Sequence, residues 1–246
     1  MEPIFFTKTC ARDALRVSYQ IAAIRRQFPL ATHVVMIEQS EVHSIQAFAN
    51  AFTLIFSVET LMPEAMQLEP YLRQQYCKLM TPIVLGVDTI QLDSDMCPKP
   101  GVSWIDELFA GQTLPRWYCE RKPAALKGGL ERLNDGYAAL FGDFGNRQEA
   151  ELSFMHSQLG WYVRRRAAAS FVRGVGGIEK LASEMQRVVA GGQLFSEYQF
   201  LGRWSYSRGL YTFYEKRELH PWLYHFPSTE PLLPEQEKLL REAAGL

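Results

Sequence analysis

Four short apolar runs in the first hundred residues, separated by polar or amphipathic segments, constrain the fold more than any other feature of the sequence. The runs occupy 3–6, 32–38, 53–58 and 89–92 and are rich in the β-branched and aromatic residues of buried strands. The segments between them contain the candidate helices. Strands that alternate with helices in this way predict a mostly parallel sheet covered by helices.

The segment between the first two runs has clear helical periodicity. Val17, Ile21, Ile24 and Phe28 recur on one helix face, and Pro29 ends the pattern. Residues 71–80 are helical by residue type, whereas the segment between the second and third runs indicates a helix only weakly. The first half is therefore predicted to run strand, helix, strand, helix, strand, helix, strand.

The second half of the chain is less regular. Glycines bracket two predicted helices, at 128–142 and 176–192, and Ser103 with Asp106 forms an imperfect capping pair at the start of another. Residues 114–120 are predicted to form an isolated strand. Because no repeat or linker is visible, the sequence predicts one α/β domain over 1–246, with a regular half at 1–100 and an irregular half at 101–246.

Composition narrows the class of protein. The chain has 26 basic and 27 acidic residues, so its net charge is -1 and no overall positive field attracts nucleic acid or an anionic membrane. We therefore expect no nucleic-acid partner. The triplet of arginines at 164–166 is the only basic cluster, and it suits a solvent-exposed helix face.

Cysteine usage and hydropathy predict a cytoplasmic protein. The four cysteines are far apart and show no C-x-x-C spacing, which disfavours a zinc site and a disulfide framework. The first residues include an acid at position 2 and no basic segment, unlike a signal peptide. The longest apolar stretch, 47–58, is interrupted by Asn50 and Thr53 and is shorter than the ~20 residues of a membrane span. We expect no integral membrane segment.

Two carboxylates directly follow the fourth apolar run. The sequence continues Asp93-Ser94-Asp95, and Pro98 and Pro100 stop any strand beyond it. On an extended backbone both aspartates point to one side, where at about 4 Å and an effective dielectric near 20 they repel by roughly 4 kcal/mol. A hard divalent cation removes that repulsion, and open α/β sheets bind ligands at the carboxyl ends of strands. The alternative is a solvated turn, and spacing alone leaves both open.

The context of this pair resembles a known family. A helix with the pattern Q-Q-x-x-K-L within 71–80, then an apolar strand and D-S-D, resembles a bacterial family of glycosyltransferase-like proteins related to the GT-A nucleotide-diphospho-sugar transferases. The opening segment 3–24, "FMHSQLGWYVRRR" at 154–166 and "FSEYQFLG" at 195–202 match the same family in the same order. The resemblance extends from about residue 3 to about residue 226.

The resemblance implies a GT-A-like single domain whose first half binds a nucleoside-diphosphate sugar, UDP- or GDP-linked, and whose second half binds an acceptor. It implies a metal-dependent glycosyltransferase, in which Mn²⁺ or Mg²⁺ bridges the two phosphates and acts as a Lewis acid as the glycosidic bond breaks. The acceptor hydroxyl would belong to a glycan or a small molecule, and a surface glycan is suggested only by analogy of fold.

Site residues follow from the same resemblance. Asp93 would contact the ribose or the metal, and Asp95 would ligate the metal. The residues implied in nucleotide-sugar binding are Thr7, Lys8, Arg12, Gln74, Gln75, Lys78, Asp93 and Ser94. Lys78 would reach Asp93 or the sugar, and Arg12 suits a diphosphate through bidentate hydrogen bonds. An ordinary polar helix face and a surface arginine are the alternatives.

Three histidines and one tryptophan are further candidates. GT-A enzymes often take a third metal ligand from near the C-terminus, so His220 or His225 could serve. His156 and Trp161 could lie on the acceptor side, with Trp161 stacking on a sugar ring. Each of these residues could instead be a packed side chain.

Glu197 is the candidate general base. Ser196 can cap a new helix and place Glu197 in its first turn, where the helix dipole favours an acid for structural reasons alone. By analogy with inverting GT-A enzymes, Glu197 would deprotonate the acceptor hydroxyl, with a pKa raised by its aromatic neighbours. In a retaining enzyme it would only hydrogen-bond the donor sugar.

Three other classes fit less well. Haloacid-dehalogenase-like phosphatases place D-x-D on their first strand, and the residues after Asp95 differ from theirs. A nucleotidyltransferase would need a glycine-rich basic loop after the first strand, and "TKTCARDA" contains no glycine. A catalytically inactive nucleotide-sugar-binding or scaffold protein stays open from sequence.

Overall fold

The computed structural model describes residues 4–102, 109, 113–121, 127–142, 151–154, 160–215, 223–227 and 229–246. The strands are β1 (Ile4–Lys8), β2 (Thr32–Ile37), β3 (Thr53–Ser57), β4 (Thr89–Gln91), β5 (Met96–Pro98), β6 (Arg116–Arg121), β7 (Leu152–Ser153), β8 (Trp161–Val163), β9 (Thr212–Glu215) and β10 (Leu223–His225). The longer helices are α1 (Ala14–Gln27), α2 (Pro70–Val84), α3 (Lys127–Phe141), α4 (Arg165–Val175), α5 (Ile178–Ala190), α6 (Glu197–Tyr206) and α7 (Pro234–Ala244).

A five-stranded sheet in the order β3-β2-β1-β4-β8 forms the centre of the fold. The first four strands are parallel, and β8 runs antiparallel to β4. The predicted α/β class with a mostly parallel sheet flanked by helices is therefore confirmed. The first-half strands and the two distinct helices predicted for that half also form.

Helices cover both faces of the sheet because side chains alternate along each strand. Along β2, Val35 and Ile37 pack in a small cluster with residues of α1. Val34 and Met36 point the other way, into the large core that includes residues of α2, α4, α5 and α6. This alternation explains why β2 is apolar at nearly every position instead of at every second one.

Local sequence explains where several helices begin and end. Helix α1 ends at Gln27 because Phe28 is non-helical, at φ -130° and ψ 68°, as the residue before a proline tends to be. Helix α6 begins after Ser196, whose hydroxyl accepts a hydrogen bond from the Gln199 amide. The predicted start of this helix is therefore confirmed.

Three predictions about secondary structure need correction or lie outside the described part. The strand predicted as isolated, at 114–120, is β6, which pairs in parallel with β9 and antiparallel with β7. Between β2 and β3 the chain forms 3₁₀ turns at Gln39–Ser44 and Gln46–Phe48 instead of an α-helix. The helix predicted to start at Ser103 lies outside the described residues.

The strand order creates a crevice at one edge of the sheet. From β1 the chain moves outward to β2 and β3, and it then returns to the opposite side of β1 as β4. Because the connection after β1 leads to β2 and so away from the neighbouring β4, a gap opens at the carboxyl ends of β1 and β4, where ligands bind in open α/β sheets. In the described part of the chain, no helix is long and apolar enough to cross a membrane.

Candidate active site

A cavity of about 400 Å³ opens at this crevice. Its walls come from the segments after β1, β2 and β4 and from the first turns of α2. The lining residues are Lys8, Thr9, Cys10, Arg12, Asp13, Glu38, Pro70, Tyr71, Gln74, Asp93, Ser94 and Asp95. Four of these side chains are acidic and two are basic, so the described lining favours cations over free anions.

The two aspartates lie on a turn and not on an extended strand. β4 ends at Gln91, and the Met96 amide donates a hydrogen bond of 3.0 Å to the Asp93 carbonyl oxygen, which closes the acidic turn (residues 93–96). Ser94 lies between the aspartates and donates to Asp13 Oδ2 at 2.7 Å. The expectation that both aspartates share one side of a strand is wrong, because the backbone reverses there.

Asp93 is paired with a buried lysine. Lys78 Nζ, on α2, donates to Asp93 Oδ1 and lies 3.0 Å from Glu197 Oε1. Burial by itself lowers the pKa of Lys78, but the two carboxylates raise the pKa well above its usual value. The lysine is therefore charged. It supplies part of the positive charge that the sequence argument had assigned to a metal.

Glu197 lies behind Lys78, outside the described cavity lining. Its side chain is 3% exposed, and its backbone amide donates to Gln75 Oε1 at 3.1 Å. Burial raises the pKa of Glu197, and Lys78 only partly offsets this. Glu197 contacts Lys78 and does not line the described cavity, so its role as a general base that faces the sugar stays a prediction.

Asp95 is paired with His225. Strand β10 runs antiparallel to β5, directly after the acidic turn, and places His225 Nε2 3.5 Å from Asp95 Oδ2. The hydrogen bond to Asp95 raises the pKa of His225 above its usual value, and burial partly offsets this. Sequence proximity could not have revealed this pairing.

The residues at the acidic turn fit a metal ion that is held partly by the protein and partly by a bound ligand. Asp95 and His225 offer a carboxylate oxygen and an imidazole nitrogen, which suit Mn²⁺. Among the residues that the structure describes, no three acidic, histidine or cysteine side chains converge to form a complete site. This incomplete set agrees with ions such as Mg²⁺, which take one or two protein carboxylates and complete their coordination with phosphate oxygens and water.

Lys8 and Arg12 are the two basic residues of the described lining. Lys8 is buried, donates to the Thr9 carbonyl oxygen at 2.7 Å, and has a pKa lowered by that burial. The Arg12 side chain is 67% exposed and contacts Asp13 only at 3.8 Å. Arg12 is therefore able to turn toward an oxyanion in the cavity, whereas Lys8 is fixed at its wall.

Several predicted site residues do not line the described cavity. Thr7 is fully buried and hydrogen-bonds Gln20 and His33, and Gln75 is buried against the Glu197 amide. Trp161 is buried and stacks on the Tyr198 ring with 3.4 Å between the ring centroids, which matches the alternative that it is a packed side chain. His156 and His220 lie outside the described residues. Of the predicted binding residues, the cavity contains Lys8, Arg12, Gln74, Asp93 and Ser94, together with Asp95.

Sequence reasoning missed Asp13, Glu38 and Tyr71. Glu38 directly follows β2, and the argument about strand ends that identified Asp93 applies to it equally. Asp13 lies in a polar segment that gave no signal, and its place in the cavity lining and its contact with Ser94 show that it belongs to the site. Tyr71 had no signal beyond its place in a helix.

The fold and the cavity define an α/β protein with a polar, acidic cavity, a candidate ligand site, at the switch point of a mostly parallel sheet. No protein-family model matches the chain, and no curated protein matches it.

Two solved structures are similar in outline. The bifunctional glycosyltransferase WbbM, in its apo form, is 14% identical with a TM-score of 0.46 over 87% of this chain, which spans only 38% of the WbbM chain. The galactosyltransferase LgtC, in complex with donor and acceptor sugar analogues, is 9% identical with a TM-score of 0.48 over 98% of this chain and 95% of its own. Since both TM-scores are below 0.5, these likenesses carry no argument about function.

Proposed function

We propose that this chain is a metal-dependent glycosyltransferase of the GT-A type, which transfers a sugar from a nucleoside diphosphate to an acceptor hydroxyl. The observation that carries the proposal is the acidic turn at the switch point of the sheet, with Asp95 beside His225 and with Lys8 and Arg12 on the same cavity. The resemblance of the Q-Q-x-x-K-L helix, strand and D-S-D supports it independently.

The charge of the cavity supports a cation between protein and diphosphate. Four carboxylates against two basic side chains would repel a free diphosphate. A Mn²⁺ or Mg²⁺ ion held by Asp95 and His225 would neutralise the phosphates and act as a Lewis acid on the leaving group. Asp93, fixed by Lys78, is then available through its outer oxygen to a ribose hydroxyl or to the ion.

The remaining residues have roles that match their exposure. Arg12 binds a phosphate oxygen, and Gln74, half-buried on α2, donates or accepts at the sugar. Tyr71 is 52% exposed beside it, and its hydroxyl donates to the Phe195 carbonyl oxygen at 3.0 Å, which fixes its ring at the cavity wall. The four free cysteines agree with the cytoplasmic location that we propose.

The stereochemical course is a separate part of the proposal. We keep an inverting reaction as a prediction, but Glu197 contacts Lys78 and not the described cavity wall. Turnover and donor affinity of Glu197→Gln test the base role. A base would lose about 10²-fold or more of turnover with affinity intact, whereas a partner of Lys78 would change both or affect stability alone.

Nucleotide binding is the first test. Thermal unfolding is followed with UDP or GDP, each with Mn²⁺, with Mg²⁺ and with EDTA. A ligand that binds the native state raises the midpoint by mass action, so we expect a rise with metal and nucleotide together and little with either alone. Asp95→Asn should remove the metal-dependent part of the rise. Asp135→Asn, an exposed aspartate on α3, should leave it unchanged.

Two outcomes separate the alternatives. If no nucleotide produces a metal-dependent rise, the proposal is refuted. If a nucleotide binds but no nucleotide sugar is hydrolysed or transferred in a screen of donors, the protein binds the donor without turnover, as a scaffold would.

A further inference from the structure

A buried glutamine on α1 hydrogen-bonds both ends of the acidic turn. Gln20, on α1, is fully buried, and its side-chain nitrogen donates to the Asp93 carbonyl oxygen at 2.9 Å and to the Met96 carbonyl oxygen at 2.6 Å. These are the first and last residues of the turn. Both hydrogens of one amide group therefore hold the two ends of the segment that carries Asp93 and Asp95.

The orientation of this amide is set by a chain of hydrogen bonds. Thr7 Oγ1 donates to Gln20 Oε1 at 2.8 Å, so the amide oxygen is occupied and the nitrogen must face the turn. Since the Thr7 hydroxyl has only one hydrogen, it accepts from His33 Nε2, 3.1 Å away. His33 is completely buried, and burial lowers its pKa to about 3, so the ring is neutral and carries its hydrogen on Nε2.

We infer that Gln20 is a positioning residue for the acidic turn, held in its orientation by Thr7 and His33. The inference deepens the proposed function, because the turn carries the proposed metal ligand. The buried Gln20 amide uses its oxygen and both its hydrogens in hydrogen bonds, and such a satisfied buried group restricts its surroundings to one arrangement. Without the two bonds from Gln20, the turn still has the bond from the Met96 amide to the Asp93 carbonyl oxygen and the pairing of β5 with β10, but it loses its support from α1, and the distance from Asp95 to His225 is less firmly fixed.

A matched residue on the same helix separates positioning from packing. Gln27 lies two turns further along α1 and donates to the Pro98 carbonyl oxygen at 3.0 Å, just beyond the turn. Gln20→Met and Gln27→Met each replace an amide by an apolar side chain of similar size, and each removes hydrogen bonds between α1 and the segment 93–98. Only Gln20→Met removes bonds to the turn itself.

The test measures first the opening of the turn and then its affinity for metal and nucleotide. Amide hydrogen exchange is recorded at Met96, whose amide closes the turn, with the Leu92 amide, bonded to Phe6 in β1, as the internal reference. We expect at least about tenfold faster exchange at Met96 in Gln20→Met, with Leu92 unchanged, and no such change in Gln27→Met. Affinity for Mn²⁺ with UDP or GDP should fall about 10–100-fold in Gln20→Met, the loss typical of residues that support metal ligands.

Variants of Thr7 keep the inference testable if Gln20→Met does not fold. Thr7→Val has the same shape but frees the amide of Gln20 to rotate, so it should speed exchange at Met96. Thr7→Ser restores the hydroxyl and should restore slow exchange.

Equal effects of Gln20→Met and Gln27→Met, or unchanged exchange at Met96 in Gln20→Met or Thr7→Val, would overturn the inference. If the wild-type protein binds no metal with nucleotide while Gln20→Met still loosens Met96 selectively, the proposed function fails and the positioning role stands.

Discussion

Replacing Lys78 by methionine tests the buried charge network beside the cavity. The lysine side chain is 4% exposed and pairs with Glu197, 3% exposed, and with Asp93, 25% exposed. Lys78→Met leaves the Glu197 carboxylate buried without its partner, which in comparable cases costs about 3–5 kcal/mol of unfolding free energy. Asp93 contributes less to this cost, because water reaches its side chain.

A double-mutant cycle separates the ion pair from the loss of packing. In Lys78→Met/Glu197→Gln the buried charges are both gone, so we expect the double variant to be more stable than the sum of the single effects predicts, by about 1–3 kcal/mol. The free energy of unfolding is measured in urea by the fluorescence of the five tryptophans. An exposed pair, Arg121 and Glu151, is the control, and Arg121→Met should cost under about 1 kcal/mol.

The pH dependence gives a second reading of the same variant. Burial raises the pKa of Glu197, so the folded state takes up a proton at a higher pH than the unfolded chain does. In Lys78→Met this effect grows, and the deficit in stability should shrink as the pH falls from 8 to 5. In the double variant Lys78→Met/Glu197→Gln, the deficit in stability should no longer change with pH over this range. A cost no larger than that of Arg121→Met, or a coupling energy near zero, would refute the reasoning.

Two further predictions concern packing and a buried histidine. Gly202→Ala should lower the free energy of unfolding by more than about 2 kcal/mol, because the new methyl group would lie 2.5 Å from Phe154 Cβ. Gly129→Ala, where the new methyl group meets open space in α3, should raise the free energy of unfolding by up to about 1 kcal/mol. Since His33 has a folded pKa of about 3, the unfolded chain binds more protons below about pH 6.5, and stability should fall by about 2 kcal/mol between pH 7 and 5. The free energy of unfolding is measured by urea titration at pH 7 and at pH 5. The loss at pH 5 should be absent from His33→Asn and should remain in His43→Asn, which changes an exposed histidine.

Each of these two predictions has an outcome that would contradict it. Equal costs of the two alanine substitutions would mean that helix propensity and not close packing governs Gly202. An unchanged slope of stability against pH in His33→Asn would mean that other groups account for the loss.

Local sequence determined the first half of the fold. The apolar runs became strands because their β-branched and aromatic side chains suit a sheet that helices cover on both faces. The period of Val17, Ile21 and Ile24 fixed which face of α1 is buried. Pro29 marked the end of α1 because it disfavours a helical conformation at Phe28, and Ser196 marked the start of α6 through its side-chain hydroxyl. The carboxylates after β4 could be placed at a ligand edge, because the carboxyl ends of parallel strands meet there.

Only the tertiary structure decided which side chains form the site. Lys78 and Glu197 meet because α2 and α6 pack together in the core, and His225 reaches Asp95 because β10 pairs with β5. For Trp161 the sequence left sugar stacking and core packing open, and in the structure its ring stacks on Tyr198. Gln20 gave no signal in the sequence. Contacts of this kind depend on how distant elements pack, and that packing is set by the summed burial of many side chains, which no local pattern of residues contains.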